Sequence, residues 1–139
     1  FLREESDKPI IFIAGGTGFG PIKAILEYLV TTDSQRDVHL YWGVRDEVDL
    51  YSSLPSEWAD KYSNISFVPV LSEANGAWRG EHGNVHESVI RDFVDLSDYE
   101  VYACGPPIMV KAAAKNCLEK GLKKENFYSD SFEYAFESS

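Results

Sequence analysis

One short segment near the start of the chain restricts the fold more than any other. Residues 9–14 form an apolar run, four glycines follow within residues 15–20, and helix-like spacing begins after Pro21. A strand that passes through a glycine turn into a helix leaves backbone N–H groups uncovered, because glycine has no side chain. The positive end of the helix dipole lies at the same place, so the segment is suited to binding a phosphate group.

Strand-like and helix-like segments alternate along the rest of the chain. Apolar strand patterns are found at residues 10–14, 38–42, 65–71 and 100–104, and a fifth strand is expected over 126–132. Between them, apolar residues recur at helical spacing. This order predicts an α/β fold: a Rossmann-like, doubly wound, parallel five-stranded sheet with helices on both faces.

The charge balance excludes several classes of partner. The 139 residues include 23 acidic and 13 basic side chains, which gives a formal net charge of -10. Nucleic acids and anionic lipids are bound through positive charge, so neither is predicted as a partner. No apolar run approaches the ~20 residues of a membrane span. Two cysteines among apolar residues, Cys104 and Cys117, indicate reduced thiols and a cytoplasmic location.

Ligands of doubly wound sheets bind at the carboxyl ends of the strands, where this sequence places two glycine turns. The first is residues 15–20, whose third glycine stands one residue earlier than in the common dinucleotide fingerprint. The second is residues 104–107 (CGPP). A helix start stabilises a thiolate, so nucleophilic chemistry by Cys104 is an alternative. The sequence places no His or Asp as its base.

A metal site is not predicted, and the aromatic residues are assigned mainly to the core. His82 and His86 are four residues apart, but no third ligand is suitably spaced. Trp78 lies in a loop and is a candidate for contact with a ligand. Tyr51, Leu54, Trp58 and Tyr62 recur at helical spacing, and Pro55 places a start or a kink within that segment. Trp42 and Trp58 are predicted to be core residues.

Five segments together resemble the pyridine-nucleotide domain of the ferredoxin–NADP reductase family. They are residues 15–21 (GGTGFGP), 41–45 (YWGVR), 78–85 (WRGEHGNV), 104–107 (CGPP) and 127–132 (FYSDSF). Essentially the whole chain is similar to bacterial flavin reductases, CDP-6-deoxy-glucoseen reductases and the reductase components of oxygenases. The resemblance implies hydride transfer from NAD(P)H to a bound flavin, which then passes electrons to an iron–sulfur centre or another acceptor.

The resemblance also implies a set of site residues. Cys104 would lie beside the nicotinamide ring, and Glu133 would be an acidic neighbour, so these two are predicted to act in hydride transfer. Phe132 would be the aromatic residue near the flavin. The predicted cofactor-binding residues are Gly15, Gly16, Thr17, Gly18, Phe19, Gly20, Pro21, Gly43, Arg45, Ser72, Arg79, Cys104, Gly105, Pro106, Pro107, Met109 and Phe132.

The family's flavin-binding Arg-x-Tyr-Ser or Arg-x-Tyr-Thr motif does not occur in this sequence. We therefore expect residues 1–8 to end a linker from a missing upstream domain that holds FAD or FMN. Residues 9–139 are expected to form the NAD(P)H-binding domain, inactive alone. Its expected partners are that flavin domain and an iron–sulfur domain or an oxygenase or ferredoxin acceptor. The alternative is a stand-alone nucleotide-binding or regulatory domain without catalysis.

The sequence gives partial information on whether the chain binds NADH or NADPH. NADPH-specific relatives tend to place an arginine after the serine of the third-strand loop, where a guanidinium pairs well with the 2′-phosphate. Here Glu73 follows Ser72, and its carboxylate would repel that phosphate. NADH is therefore favoured, while Arg45 and Arg79 keep NADPH open.

Overall fold

The structure, a computed structural model, describes residues 2–3, 5–74 and 76–131 of the chain. The strands within this part are β1 (Ile10–Gly15), β2 (Val38–Val44), β3 (Ile65–Leu71), β4 (Glu81–His82), β5 (Glu100–Gly105) and β6 (Phe127–Ser131). Its α-helices are α1 (Phe19–Thr31), α2 (Leu54–Lys61), α3 (Val85–Asp92) and α4 (Pro107–Glu119). None of these helices is long and apolar enough to cross a membrane.

All six strands pair in parallel, in the order β4-β3-β2-β1-β5-β6. The chain builds the sheet outward from β1 to β4 and then returns to add β5 and β6 on the other side of β1. The direction of building therefore reverses between β1 and β5, where sheets of this kind bind ligands at the carboxyl edge. The prediction of an α/β fold with a parallel sheet is confirmed.

The predicted number of strands was wrong, because the sheet has six strands in the described residues and not five. The additional strand is β4, which pairs with Val70 and Leu71 of β3. It lies in the polar stretch 72–83, which the sequence pattern predicts to be a loop. Two residues are too few to show the alternation of apolar and polar side chains by which a strand is recognised.

The core consists of two hydrophobic clusters that share β1. The first cluster contains Ile10, Phe12 and Ala14 together with residues of α1 and α2. The second cluster contains Ile11 and Ile13 together with residues of α3 and α4. Every residue of β1 is buried, which explains its uninterrupted apolar run. Burying each isoleucine or phenylalanine stabilises the fold by about 1.5–3 kcal/mol.

A buried ion pair connects the amino ends of the strands. Arg36 Nη2, just before β2, donates to Glu100 Oε1 at 2.8 Å, and the two side chains are 8% and 1% exposed. Arg36 also donates to the backbone carbonyl oxygens of Arg3 and Lys8, each at 2.9 Å. Arg3 in turn donates to the Tyr128 hydroxyl at 2.6 Å. The segment before β1 is therefore anchored to the sheet through the Arg36 guanidinium.

Replacing Arg36 tests this anchor. Arg36→Ala is expected to lower the free energy of unfolding by about 3–5 kcal/mol, because it leaves the Glu100 carboxylate buried without its partner. Arg91→Ala is a suitable control, since it removes an exposed 3.5 Å ion pair with Glu81 and should cost less than about 1 kcal/mol. Urea denaturation measures both. Equal losses in the two variants would show that the buried pair does not stabilise the fold.

Candidate functional site

A cleft of about 660 Å³ opens at the carboxyl edge of the sheet, a volume typical of small-molecule sites. The predicted site residues that line it are Gly15, Gly16, Thr17, Gly43, Arg45, Ser72, Pro106 and Met109. Its other lining residues are Val44, Val48, Asp49, Tyr51, Gly83, Asn84, Val85, His86 and Ile108. We call this site the carboxyl-edge cleft. A smaller cavity of about 240 Å³ lies at the amino ends of β2 and β3.

The glycine turn after β1 exposes its backbone to the cleft on one side and packs tightly on the other. Gly16 has a φ of 57°, and a Cβ atom there would meet nothing within 4 Å. Gly18 is different, because a Cβ atom there would overlap the carbonyl oxygen of Cys104. The absence of a side chain at Gly18 therefore lets the turn touch the end of β5.

Trp42 of β2 fixes the position of the glycine turn through a hydrogen bond and a ring contact. Its Nε1 donates to the carbonyl oxygen of Gly16 at 2.8 Å. Its ring stacks on Phe19, with centroids 4.3 Å apart and planes inclined by 18°. Phe19 is fully buried, so its side chain belongs to the core and only its backbone is left for a ligand.

The amino termini of α3 and α4 both lie at the cleft. The N-cap residue of α4 is Pro106, and that of α3 is Asn84, whose amide donates to Glu87 Oε1 at 3.0 Å. Neither N-cap side chain accepts a hydrogen bond from a backbone N–H of its own helix. The uncapped N–H groups carry the partial positive charge of a helix terminus, so the cleft can attract an anion although the chain is acidic.

The other predicted site residues do not line the cleft within the described part of the chain. They are Gly18, Phe19, Gly20, Pro21, Arg79, Cys104, Gly105 and Pro107. Phe132 and Glu133 lie outside the described residues. Trp78 is half-buried against the first hydrophobic cluster, and its Nε1 donates to the carbonyl oxygen of Glu81 at 2.9 Å.

Cys104 is a buried thiol at the end of β5. It is 1% exposed and belongs to the first hydrophobic cluster. Burial, together with the nearby carboxylate of Asp130, raises the pKa of Cys104 to about 11, so the group stays protonated at neutral pH. A protonated thiol is a poor nucleophile, which argues against the alternative of nucleophilic chemistry at this residue.

Arg45 and Glu73 form an exposed ion pair beside the cleft. Arg45 Nε lies 3.9 Å from Glu73 Oε2, and the side chains are 79% and 69% exposed. The backbone N–H of Glu73 donates to the Arg45 carbonyl oxygen at 2.8 Å, which ties together the loops that follow β2 and β3. The positive charge of Arg45 is therefore offset by a carboxylate.

Tyr51 lines the cleft although it recurs at helical spacing with Leu54 and Trp58. The structure begins α2 at Leu54, with Pro55 in the first turn, so Tyr51 stands before the helix and is 57% exposed. Its spacing from Leu54 and Trp58 imitates a helical stripe. Of the start or kink that the sequence predicts at Pro55, the structure has the start, because proline favours the first turn of a helix; residue 51 is thereby outside the helix.

Residues 12–115 match the family model described as "Oxidoreductase NAD-binding domain". The chain belongs to this family. The match extends from β1 into α4 and so includes both glycine turns and most of the cleft. The resemblance to the ferredoxin–NADP reductase family is thereby confirmed, and the chain is an NAD-binding domain of that family.

Similar proteins are reductases in which this domain is one part. A CDP-6-deoxy-L-threo-D-glycero-4-hexulose-3-dehydrase reductase of Yersinia pestis is 44% identical over 132 residues, which cover 95% of this chain and 40% of that protein. An NAD(P)H-flavin reductase of Vibrio harveyi is 40% identical, covering 98% and 57%. The crystal structure of Amycolatopsis cytochrome P450 reductase GcoB matches with a TM-score of 0.86 at 29% identity, covering 93% and 39%. The NAD-binding domain thus spans about 40–57% of these curated relatives.

The two glycines of the turn that lie nearest to α1 provide a matched test of its packing. Gly18→Ala is expected to lower the free energy of unfolding by about 1–3 kcal/mol, because the new methyl group overlaps the Cys104 carbonyl oxygen. Gly20→Ala, in α1, meets nothing within 4 Å and should be neutral or stabilising by up to about 1 kcal/mol. Chemical denaturation compares the two variants. A Gly18→Ala variant as stable as the parent would contradict the close contact.

Proposed function

We propose that the chain is the NAD(P)H-binding part of a longer flavin-dependent oxidoreductase. In this proposal residues 9–139 form the nucleotide-binding domain, and residues 1–8 end a linker from a domain that holds FAD or FMN. The observation that carries the proposal is the carboxyl-edge cleft, where an open glycine turn and two helix amino termini meet in a member of an NAD-binding family. The greater length of the curated reductases supports a further domain.

The two hydrophobic clusters support helices on both faces of the sheet. Successive side chains of a strand point to opposite faces, and β1 contributes alternate residues to the two clusters. We infer that α1 and α2 cover one face and that α3 and α4 cover the other. The cleft then lies between two helical layers, which shield its floor from water.

The residues present fit a pyridine nucleotide. The backbone of Gly16 and Thr17, in the open turn, would bind the pyrophosphate together with the amino terminus of α4. When bound, NAD(P)H would supply a hydride to a flavin held on the preceding domain, and the acceptor of the electrons would be an iron–sulfur domain or an oxygenase or ferredoxin. This chain's own part is to bind and orient the nucleotide, because backbone N–H groups do not ionise near neutral pH and so act only by hydrogen bonding and electrostatic attraction.

We propose that NADH is preferred over NADPH. A 2′-phosphate on the adenosine ribose would be attracted by Arg45, but Glu73 already lies beside that guanidinium. Asp49 also lines the cleft and adds a second carboxylate. The Glu73 and Asp49 carboxylates would repel the 2′-phosphate, so the affinity of the chain for NADPH would be lower than its affinity for NADH.

Calorimetric titration of the protein with NADH and NADPH tests the proposed function and the preference together. NADH is expected to bind at least about tenfold more tightly, since roughly 1.4 kcal/mol of repulsion corresponds to that ratio. Glu73→Ser should raise the affinity for NADPH severalfold, because it frees Arg45. Glu27→Ser, an exposed change on α1, should alter neither affinity. Tighter binding of NADPH by the parent would reverse the assigned preference, and binding of neither nucleotide would overturn the proposed function.

We also propose that Cys104 lies beside the nicotinamide in the full-length protein, with Phe132 and Glu133 nearby. The carbonyl of Cys104 already touches the glycine turn at Gly18, which supports a position next to the nucleotide. The proposal requires that the thiol face the ring once the flavin domain is present.

Cys104→Ala in the full-length protein is expected to slow flavin reduction by NADH by more than about tenfold, because a ring that loses its neighbour is misplaced for hydride transfer. The dissociation constant for NADH should change less than about twofold. Stopped-flow absorbance of the flavin measures the rate, and Cys117→Ala, buried in the second cluster, is the control. An unchanged rate would remove Cys104 from the site. Nucleotide binding without any flavin reduction by the parent would favour a stand-alone binding domain.

A further inference from the structure

Exposed apolar side chains are concentrated at the carboxyl-edge cleft. Among the described residues, the large apolar side chains that are exposed are Tyr28, Val48, Tyr51, Val94, Ile108 and Leu118. Three of these six, Val48, Tyr51 and Ile108, line this one cleft. Exposed apolar surface in a concave site is typical of a surface that a ligand covers. Phosphates cannot cover it, so the ligand must bring an apolar part.

Tyr51 is the aromatic residue among these three, and contacts with two neighbouring rings hold its side chain in place. The ring makes an edge contact with Trp42 at a centroid distance of 4.9 Å and an interplanar angle of 80°. A second edge contact joins it to Phe19 at 6.2 Å. Since Trp42 also donates to the carbonyl oxygen of Gly16, the Tyr51 ring has a fixed position relative to the glycine turn. A ring held in this way loses little conformational entropy when a second ring packs against it.

Tyr51 stands on the β2 side of the cleft, and Met109 stands on the β5 side. At the other side, Met109 fills the space against Gly15 and Gly105, where a Cβ atom would lie only 2.9 and 2.6 Å from its Cε. Tyr51 and Arg45 both follow β2, and the Arg45 guanidinium lies 3.9 Å from Glu73 in the loop after β3. The turn after β1 lies between these residues and the end of β5, because β1 stands between β2 and β5 in the sheet. A flat ring bound at this side is therefore separated from the end of β5 by the glycine turn.

Resting on the proposed function, we propose that Tyr51 binds the adenine ring of the dinucleotide by aromatic packing, with Trp42 supporting it from behind. Adenine is the larger of the two ring systems of NAD(P)H and offers a π-face to any aromatic side chain. Burial raises the pKa of the Tyr51 hydroxyl above its ordinary value, so the residue brings no negative charge to the neighbouring phosphates.

The experiment uses calorimetric titration of the full-length protein with ADP-ribose, which has adenine and both phosphates but no nicotinamide. Tyr51→Ala should weaken binding of ADP-ribose and of NADH by the same factor, roughly tenfold. Tyr51→Phe keeps the ring and should stay within about twofold of the parent. Tyr28→Ala, which removes a 45% exposed tyrosine on α1 outside the cleft, should leave both affinities unchanged.

Two further measurements separate the possible failures. Tyr51→Leu keeps an apolar side chain against Trp42 but removes the flat ring, so it should also weaken ADP-ribose binding while the melting temperature is retained. Tyr51→Ala binding ADP-ribose as tightly as the parent would overturn the inference. Weaker binding of nicotinamide mononucleotide with ADP-ribose unaffected would also overturn it, because the contact would then be with nicotinamide. If the parent binds neither NADH nor ADP-ribose, the proposed function itself fails.

Discussion

The contact between Gly18 and the carbonyl oxygen of Cys104 is the constraint on which the rest of the site depends. It brings the turn after β1 against the end of β5, at the point where the order of the sheet reverses. Gly15 and Gly105 continue this close packing, since both lie against the Cε atom of Met109. Side chains at these glycines would separate the two loops, and the cleft would lose the floor that its lining residues share.

The chain shows how an acidic protein can bind an anion without a cluster of basic residues. Its net charge is -10, and the Arg45 guanidinium at the cleft is paired with Glu73. In the proposed binding mode, the positive potential comes instead from backbone N–H groups in the turn at Gly16 and at two helix amino termini. Such groups are fixed by the fold and do not titrate, so their attraction for phosphate is independent of pH.

The positions of the main strands could be predicted from sequence, and the details at their ends could not. Residues 10–14 are a continuous apolar run because every residue of β1 is buried, and the observed β1 and β3 agree with the strands predicted at 10–14 and 65–71 to within one residue. β4 has only two residues and leaves no periodic signal. Tyr51 shows the opposite error, since its spacing matches a helix that begins three residues later. Which predicted residues line the cleft depends on how loops from distant strands pack, and short-range patterns contain no information about that packing.

The anchor at Arg36 determines where a preceding segment would leave the domain. The guanidinium holds the carbonyl oxygens of Arg3 and Lys8 at the amino edge of the sheet, whereas the cleft lies at the carboxyl edge. The six residues of β1 separate these edges by roughly 20 Å. A polypeptide that precedes Arg3 would therefore leave the domain at the edge of the sheet opposite to the cleft. It would have to span about the length of a strand before it could contact a ligand bound there.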